Sequence, residues 1–317
     1  MDLNKEKNVI LLGGPTCSGK SQVAKKLAEK FQPHTNALII NCDSMQVYKS
    51  FRILTSRPTI DDECMYAHRL YGFFSSSDVC SVSVWRDYAI AAIKFAWKKN
   101  MLPIVVGGTG LYFKALQEGI AEIPEVDNKY RLESRMILDS FGVSRLYEDL
   151  KKIDPYSADK IMKNDRQRIT RAWEIFKTTG QSIFHWQSGF HKNFKAKWLA
   201  YWLSPERSFL YKTIDDRFIE MINSGAIEEV RDFKKKNFRS DFLVSKAVGF
   251  QEISAYLDGK INLTEATKSG QQATRRLAKR QYTWFNNQMT GWTKCSGTVE
   301  QNVNIIFTNL CNFVLTG

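Results

Sequence analysis

The residues with the most definite chemistry lie near the start of the chain, in the stretch GPTCSGKS. Gly14, Gly19, Lys20 and Ser21 complete the pattern G-x-x-x-x-G-K-[ST]. Glycines in this pattern let backbone N–H groups surround an anion, the lysine adds a positive charge, and the hydroxyl stands where a phosphate-bridging magnesium ion is held. The stretch predicts a polyphosphate site, and any diphosphate ester with magnesium would satisfy it as well as ATP.

A carboxylate follows the second apolar run, in LIINCDSMQVY. A nucleotide hydrolase is expected to end a strand on an Asp that holds magnesium, but the third apolar run ends in VVGGTGLY, which has no acid. Because ligands bind at the carboxyl ends of parallel strands, we expect Asp43 beside the phosphate loop. There it could act as a general base on an acceptor. The alternative is the cap of a turn or a helix.

The stretch VGGTGLY offers further polar groups at another strand end. Its paired glycines, Gly107 and Gly108, would allow close approach of a ligand. Thr109 adds a hydroxyl at the same place. The alternative interpretation is a plain strand-to-helix turn.

Two basic stretches have helical spacing. Arg168 and Arg171, in QRITR, lie three residues apart and so share a helix face. The later stretch KSGQQATRRLAKRQYTWFNN carries lysines and arginines at helical spacing, followed by Tyr282, Trp284 and Phe285. Basic side chains can follow a phosphate backbone, and aromatic rings can stack on bases. The alternative is a solvated basic face with the aromatic residues in the core.

The elements that must position these residues alternate along the chain. Four apolar runs, NVILL, ALIIN, LPIVVG and WLAYWL, predict strands, and strands that alternate with helices are typical of α/β proteins with a parallel sheet. After the fourth strand only helices are expected, the last one long, from about residue 263 to residue 286. The helix after the phosphate loop is predicted to bury Val23, Ala24, Leu27, Ala28 and Phe31.

A segment without a strand pattern separates the third and fourth predicted strands. It contains two amphipathic stretches, RLESRMILDSFGVSRLYEDLKKIDP and DRQRITRAWEIFKTTG, and Gly180 is expected to end the second helix. The predicted organisation is an α/β core at residues 1–119, a helical insertion at residues 120–195, and a return to the core at residues 196–317.

The composition is that of a globular protein with an excess of basic residues. Lys and Arg number 46 against 33 Asp and Glu, a formal net charge of +13, which favours a large anionic partner, although a basic balance also keeps proteins soluble. No apolar run reaches the roughly 20 residues that span a bilayer, and the first strand comes too early for a signal peptide. We therefore expect a cytoplasmic protein without membrane contact.

Six motifs occur in the order GPTCSGKS, DSMQVY, VGGTGLYFKAL, NDRQRITRAWE, AVGFQE and TRRLAKRQYTWF. Through them the chain resembles the tRNA dimethylallyltransferases, also called tRNA isopentenyltransferases, over nearly its full length. The resemblance implies an α/β protein with a P-loop NTPase-like core, a parallel sheet and an inserted all-helical domain that binds the anticodon stem-loop of tRNA. It implies that a monomer transfers the dimethylallyl group of dimethylallyl diphosphate to N6 of adenosine 37 in tRNAs that read UNN codons.

The resemblance also assigns roles to residues. It implies that Asp43 is the general base, that Thr16 and Arg217 complete the catalytic group, and that Ser21 binds the cofactor Mg²⁺. The implied diphosphate-binding residues are Gly14, Pro15, Thr16, Cys17, Ser18, Gly19, Lys20 and Ser21. The implied tRNA-binding residues are Asp43, Ser44, Met45, Gln46, Thr109, Arg131, Gln167, Arg168, Ile169, Thr170, Arg171, Lys246, Lys279 and Arg280, within contact stretches that extend over residues 246–251 and 279–286.

Two places depart from the family pattern. Residues 54–57 stand where family members have a Gly-Thr-Ala-Lys type stretch, so that Arg57 keeps the charge but not the lysine, and Asn286 stands where an arginine is common.

Three rival functions remain open at this point. They are a phosphate-loop kinase of small metabolites, a prenyltransferase that acts on free adenine nucleotides, and a tRNA-binding protein without catalysis. The two basic stretches argue against the first two rivals. The intact Lys20, Ser21 and Asp43 argue against the third.

Overall fold

The computed structural model describes residues 7–189, 193–236 and 242–316, with side chains described as far as residue 312. The chain divides into two compact units. One unit combines Met1–Gln117 with Lys195–Gly317, and the other is Glu118–Phe194. We call them the core unit and the insertion.

A parallel sheet forms the centre of the core unit. Its strands in chain order are β1 (Asn8–Gly13), β2 (Asn36–Asn41), β3 (His68–Arg69), β4 (Met101–Gly107), β5 (Lys197–Leu203) and β6 (Thr293–Cys295). Their order across the sheet is β3-β2-β4-β1-β5-β6, and neighbouring strands pair in parallel. β1, β2, β4 and β5 are the four predicted strands. Each reads as a continuous apolar run because both faces of a parallel sheet are covered.

Two strands were not predicted. β3 has two residues and β6 has three, too few to show a period. The expectation that only helices follow the fourth strand is therefore wrong, because β6 pairs with β5 through Leu203 and Cys295 at the edge of the sheet.

The helices surround this sheet and form the insertion. Within the described ranges the α-helices are α1 (Lys20–Phe31), α2 (Ile60–Met65), α3 (Val82–Lys98), α4 (Gly110–Glu118), α5 (Asn128–Ile153), α6 (Pro155–Lys160), α7 (Arg166–Thr179), α8 (Ile183–Gln187), α9 (Arg207–Met221), α10 (Ile227–Lys235), α11 (Phe250–Leu257), α12 (Leu263–Gln288) and α13 (Val299–Thr316). A π-helical turn, Ile222–Ala226, joins α9 to α10, and a 3-10 turn spans Leu243–Lys246.

The predicted apolar face of α1 is buried. Val23, Ala24, Leu27, Ala28 and Phe31 pack in one cluster with alternate residues of the central strands and with α13. This packing fixes the helix axis behind the phosphate loop, so that the amino end of α1 lies at the carboxyl edge of the sheet.

The insertion consists of helices α5 to α8, with its own buried core. Leu146, Leu150, Ile169 and Trp173 belong to that core. α7 ends at Gly180, which has φ 70°, as predicted. α5 is interrupted at Gly142, where φ is 77° and ψ is −179°, so the single amphipathic stretch forms two helical pieces.

No helix within the described part of the chain has the length and apolar character that crossing a membrane requires.

Candidate active site

The loops that follow β2, β4 and β1 lie side by side, because these three strands are neighbours in the sheet. They carry Asp43, residues 107–109, and the phosphate loop at residues 14–21. Asp43 and Lys20 line one cavity of about 600 Å³, which we call the phosphate-loop cavity. The expectation that Asp43 lies near the phosphate loop is confirmed, although the β4 loop stands between the two.

The phosphate loop has positive φ angles at Gly14, Cys17 and Gly19. Gly14 has φ 147°, and a Cβ there would lie 2.8 Å from the carbonyl oxygen of Leu203. Gly19 has φ 84° and immediately precedes α1. The first turn of a helix leaves its N–H groups without helical acceptors, so Lys20 and Ser21 can present theirs to an anion. Cys17 has φ 62°, which is uncommon outside glycine.

Lys20 is the positive charge of this loop. Its Nζ donates to the Pro15 carbonyl at 2.5 Å and lies 3.5 Å from the Ser18 hydroxyl. The pKa of Lys20 is lowered to about 8, mainly by burial; the Asp43 carboxylate opposes this shift and the Arg217 guanidinium contributes to it. An anion in the cavity would favour the charged form, so anion binding and protonation of Lys20 would reinforce each other.

Asp43 forms the turn cap that its sequence position allowed. Its Oδ1 accepts the backbone N–H groups of Met45 at 2.9 Å and Gln46 at 3.4 Å, which is a turn cap. Its own N–H donates to Asn41 Oδ1 at 2.9 Å. Among the described residues no hydrogen bond engages Oδ2. The cap therefore fixes the carboxylate and leaves one oxygen able to accept a proton.

The β4 loop supports the Asp43 turn. Thr109 Oγ1 accepts the Ser44 N–H at 3.0 Å. A Cβ at Gly107 would lie 1.9 Å from the Cys42 carbonyl oxygen, and one at Gly108 would lie 2.2 Å from Gln281 Nε2. These glycines thus allow close approach of other parts of the protein, and both also line the phosphate-loop cavity, so the predicted close approach of a ligand stays a prediction. The predicted tRNA contact of Thr109 stays a prediction.

Thr16 is held by two residues from distant helices. Arg217 Nη2 donates to Thr16 Oγ1 at 2.6 Å, which brings the predicted catalytic group together around the phosphate loop. The Thr16 N–H donates to Gln281 Oε1 at 2.8 Å. Sequence reasoning placed Gln281 only within a tRNA-contacting stretch and missed its contact with the phosphate loop.

A smaller cavity of about 230 Å³, the adjoining cavity, meets the first at Asp43. Both cavities share Thr16, Asp43, Thr55, Arg217 and Gln281. The side chains that line only the smaller one are mainly apolar, with two exposed cations at its margin. They include Leu54, Ile214, Phe218, Leu277, Lys246 and Arg280. Lys279 is exposed and lines neither cavity.

The stretch at residues 54–57, where the sequence departs from the family pattern, contributes to the walls of both cavities. Leu54 is 4% exposed, and the Arg57 guanidinium donates to the carbonyl of Tyr48 at 3.2 Å and lies 3.7 Å from a Glu63 oxygen. Arg57 therefore acts within the fold. Glu229, which sequence reasoning missed, accepts the N–H groups of Ile53 and Leu54 at 2.9 and 3.0 Å, and no local pattern signals it.

The start of α13 closes the phosphate-loop cavity on another side. Gly297, Val299 and Asn302 line it. Asn302 is 4% exposed and holds Gly297 at two points, accepting its N–H at 3.2 Å and donating to its carbonyl at 2.9 Å. Val299 Cγ2 would lie 3.5 Å from a Cβ at Gly19.

The predicted tRNA contacts of the insertion are mostly exposed. The side chains of Arg168 and Arg131 are 73% and 49% exposed, whereas Arg171 is half-buried, and burial lowers the pKa of that guanidinium. Gln167 is exposed and Thr170 is half-buried.

Ile169 requires a correction within this set. It is 0% exposed in the core of the insertion, so its side chain is not available to tRNA. A helix that exposes residues 167 and 168 turns the next position inward.

The donor atoms around the phosphate loop suit magnesium. Among the described residues no group of three or more His, Cys, Asp and Glu side chains could hold a metal. The cavity does contain the Ser21 hydroxyl and the Asp43 carboxylate, which are hard oxygen donors. Mg²⁺ is commonly bound by one or two protein oxygens together with substrate phosphates and water. These residues therefore fit the ion.

Comparison with known proteins supplies the family. Residues 46–288 match the IPP transferase family, and a tRNA dimethylallyltransferase of Paramagnetospirillum magneticum is 38% identical over 97% of each chain. The chain belongs to this family. Membership in the IPP transferase family confirms the resemblance and the prediction of a transferase enzyme. Residues 2–55, which include the phosphate loop, also match the Zeta toxin family.

Solved structures of the IPP transferase family share the fold. The full-length tRNA isopentenylpyrophosphate transferase of Bacillus halodurans aligns with a TM-score of 0.68 at 31% identity, covering 98% of this chain and 96% of its own. A eukaryotic dimethylallyltransferase, captured in crystallographic snapshots of its action on tRNA, aligns with a TM-score of 0.71 at 30% identity, covering 88% and 70%. The predicted α/β fold class is thereby confirmed.

Proposed function

We propose that this transferase moves the dimethylallyl group of dimethylallyl diphosphate to N6 of adenosine 37 in tRNAs that read UNN codons, giving N6-(dimethylallyl)adenosine. One observation carries the proposal. Asp43, a carboxylate with one fixed and one open oxygen, lies where a phosphate-loop cavity meets a second cavity with apolar walls and a basic margin. A diphosphate donor suits the first cavity, and a base from an RNA loop suits the second.

The donor half of the reaction rests on the cations and N–H groups of the phosphate loop. As the C–O bond to the donor carbon breaks, negative charge grows on the diphosphate. Lys20, Arg217 and the N–H groups at the start of α1 are positioned to meet that charge. Thr16, which Arg217 holds by its hydroxyl, would orient the leaving group.

Magnesium belongs to the same proposal. Ser21 would hold the ion together with diphosphate oxygens. When bound, Mg²⁺ supplies charge neutralisation for the leaving group.

The acceptor half rests on Asp43. An adenine N6 amine is a weak nucleophile, and it becomes a better one when a carboxylate accepts its proton as the N–C bond forms. In the balanced step N6 bonds to the allylic carbon, diphosphate leaves with the C–O electron pair, and the N6 proton passes to Asp43. The oxygen without a hydrogen bond, Oδ2, is the one that can receive it.

A tRNA acceptor accounts for the basic residues. A stacked base hides its reacting atom, so the enzyme must turn the nucleotide out, which costs less in an anticodon loop than in a duplex. Lys246 and Arg280 lie at the margin of the adjoining cavity, where phosphates flanking a flipped base would be met. Arg131, Arg168 and Arg171 of the insertion are proposed to grip the stem-loop. A cytoplasmic monomer, as predicted, is sufficient for this reaction.

The test is a mass spectrum of nucleosides from unmodified tRNA after incubation with the protein, magnesium and dimethylallyl diphosphate. Parallel reactions replace the donor by ATP or the acceptor by AMP. We expect an adenosine heavier by one C5H8 unit at position 37, only with tRNA and the prenyl donor. Prenylated AMP without prenylated tRNA, or ATP consumption without prenyl transfer, would overturn the proposal.

A further inference from the structure

Gln281 joins three parts of the donor site that are far apart in sequence. It lies on α12, its Oε1 accepts the Thr16 N–H at 2.8 Å, and its Nε2 donates to the Gly108 carbonyl at 3.0 Å. It is half-buried and lines both cavities. Both ends of its amide are therefore occupied by the protein backbone.

The surroundings are shaped around this side chain. A Cβ at Gly108 would lie 2.2 Å from Gln281 Nε2 and 3.4 Å from the Gly14 carbonyl oxygen, so only the Gln281 contact forbids a side chain there. Gly108 is not among the residues with positive φ, so its backbone conformation does not require glycine. The space that Gly108 leaves open is filled by the Gln281 amide.

The Thr16 contact bears directly on the reaction. Thr16 is fixed at its N–H by Gln281 and at its hydroxyl by Arg217. Without the first bond, the Thr16 backbone loses one of these two anchors, and the position of the residue relative to Lys20 then depends on Arg217 alone. Active sites require such groups to be held within about 0.5 Å.

We propose that Gln281 is a positioning residue of the donor site, which holds the phosphate loop through Thr16 and Gly108, and that it is not a tRNA-contacting residue like its neighbours Lys279 and Arg280. The proposal rests on the proposed use of the phosphate loop for a prenyl diphosphate. Under this proposal the helix α12 has two functions. The exposed cations Lys279 and Arg280 contact tRNA, and Gln281 holds the phosphate loop that binds the donor.

The first experiment compares Gln281→Met with Lys279→Met. Met keeps the length of Gln but makes neither hydrogen bond. We expect Gln281→Met to raise the KM for dimethylallyl diphosphate and the dissociation constant of inorganic diphosphate, measured by direct binding, by about 3- to 10-fold, the loss expected for one or two hydrogen bonds. The dissociation constant of the Gln281→Met protein for tRNA should be unchanged.

Lys279→Met should have the opposite effect. It should weaken tRNA binding and leave the constants for dimethylallyl diphosphate and inorganic diphosphate unchanged. Gln272→Met, at an exposed glutamine of α12 that lines neither cavity, is the matched control.

The second experiment displaces Gln281 without changing it. Gly108→Ala should push the amide away and reproduce the donor defect. In a Gln281→Ala background the added methyl has room, so Gly108→Ala should then have no further effect. Two neighbouring residues that act through one contact give such non-additive effects.

Three results would overturn the inference. They are a Gln281→Met protein with weaker tRNA binding and normal donor constants, additive effects of Gly108→Ala and Gln281→Ala, or a Gly108→Ala protein with normal donor constants. Thermal melts of each variant identify unfolding. Failure of the wild-type protein to prenylate tRNA would instead count against the proposed function, because the dissociation constant of inorganic diphosphate is measured by direct binding and does not depend on that product.

Discussion

The carboxyl edge of the sheet and the exposed face of α7 both carry motif residues, but they hold them differently. At the sheet edge Asp43 and Thr16 are half-buried. Thr16 is held by Arg217 and Gln281, which lie 201 and 265 residues away, and the Asp43 carboxylate is fixed by the N–H groups of Met45 and Gln46. In the insertion the Arg168 side chain is 73% exposed and pairs with Asp165, three residues away. A reaction needs atoms at fixed positions, whereas attraction to a phosphate backbone works through charge that tolerates movement.

The ion pairs of the insertion are compatible with attraction to a phosphate backbone. Arg131 lies 4.0 Å from Glu125, and Arg168 lies 3.5 Å from Asp165, and the two arginine side chains are 49% and 73% exposed. Exposed pairs of this kind contribute little to stability. A phosphate can therefore replace the carboxylate at small cost, so pairing within the insertion does not argue against tRNA binding.

The largest effect on turnover is expected from substitution of Asp43. If turnover did not fall, the contrast between the sheet edge and the insertion would be lost. Asp43→Asn keeps an oxygen that can cap the Met45 N–H but loses the ability to accept the N6 proton. We expect turnover to fall by about 10²- to 10⁴-fold, with tRNA binding largely intact, as measured in single-turnover assays with saturating tRNA. Near-normal turnover would reduce Asp43 to its capping role. Asp61→Asn, at an exposed carboxylate of α2, is the control.

A smaller effect is expected when the affinity for dimethylallyl diphosphate is measured as a function of pH. Because the pKa of Lys20 lies near 8, the protonated form that attracts diphosphate predominates below pH 8 and is lost as the pH rises above it. The dissociation constant of dimethylallyl diphosphate should then rise by up to about 10-fold per pH unit. Burial raises the pKa of the Cys17 thiol, so Cys17 should add no inflection near pH 8.

Lys20→Arg provides the control for this measurement, since a guanidinium stays charged throughout the range. The inflection should vanish in that variant, whatever its absolute affinity. An inflection that persists would assign the titration to another group.

The smallest change in activity is expected in the insertion. Arg168→Ala combined with Arg171→Ala should weaken tRNA binding and flatten the dependence of log K on log salt concentration by about one unit per lost phosphate contact. Turnover at saturating tRNA should be unchanged. Arg145→Ala, at an exposed arginine outside the predicted contacts, is the control. An unaltered slope would leave Arg168 and Arg171 as solvated surface, and a large loss of turnover would erase the difference between the two regions.

Sequence patterns predicted the parts of the fold that rest on long runs. β1, β2, β4 and β5 are six or seven residues each and buried on both faces, so their apolar runs are continuous. β3 and β6 are too short to carry a pattern. The break at Gly142 was missed because a single glycine does not disturb a helical period, and only its φ of 77° shows that the helix ends there.

Within the site, the sequence predicted residues whose signal is local and missed those whose contacts are distant along the chain. Lys20 and Asp43 could be found because each follows a strand within a few residues. Gln281 could not, because its partners Thr16 and Gly108 lie 265 and 173 residues away. Ile169 shows the opposite failure. All residues of the motif at 167–171 were predicted to contact tRNA, although on a helix every third or fourth residue faces the core.

The wall that Gly297, Val299 and Asn302 contribute to the phosphate-loop cavity has a consequence for biosynthesis. The ribosome produces the phosphate loop within the first residues of the chain and this wall only near residue 300. Contacts of such sequence separation form late. A nascent chain would therefore carry a complete phosphate-loop sequence well before it contains the residues that complete the wall of the cavity.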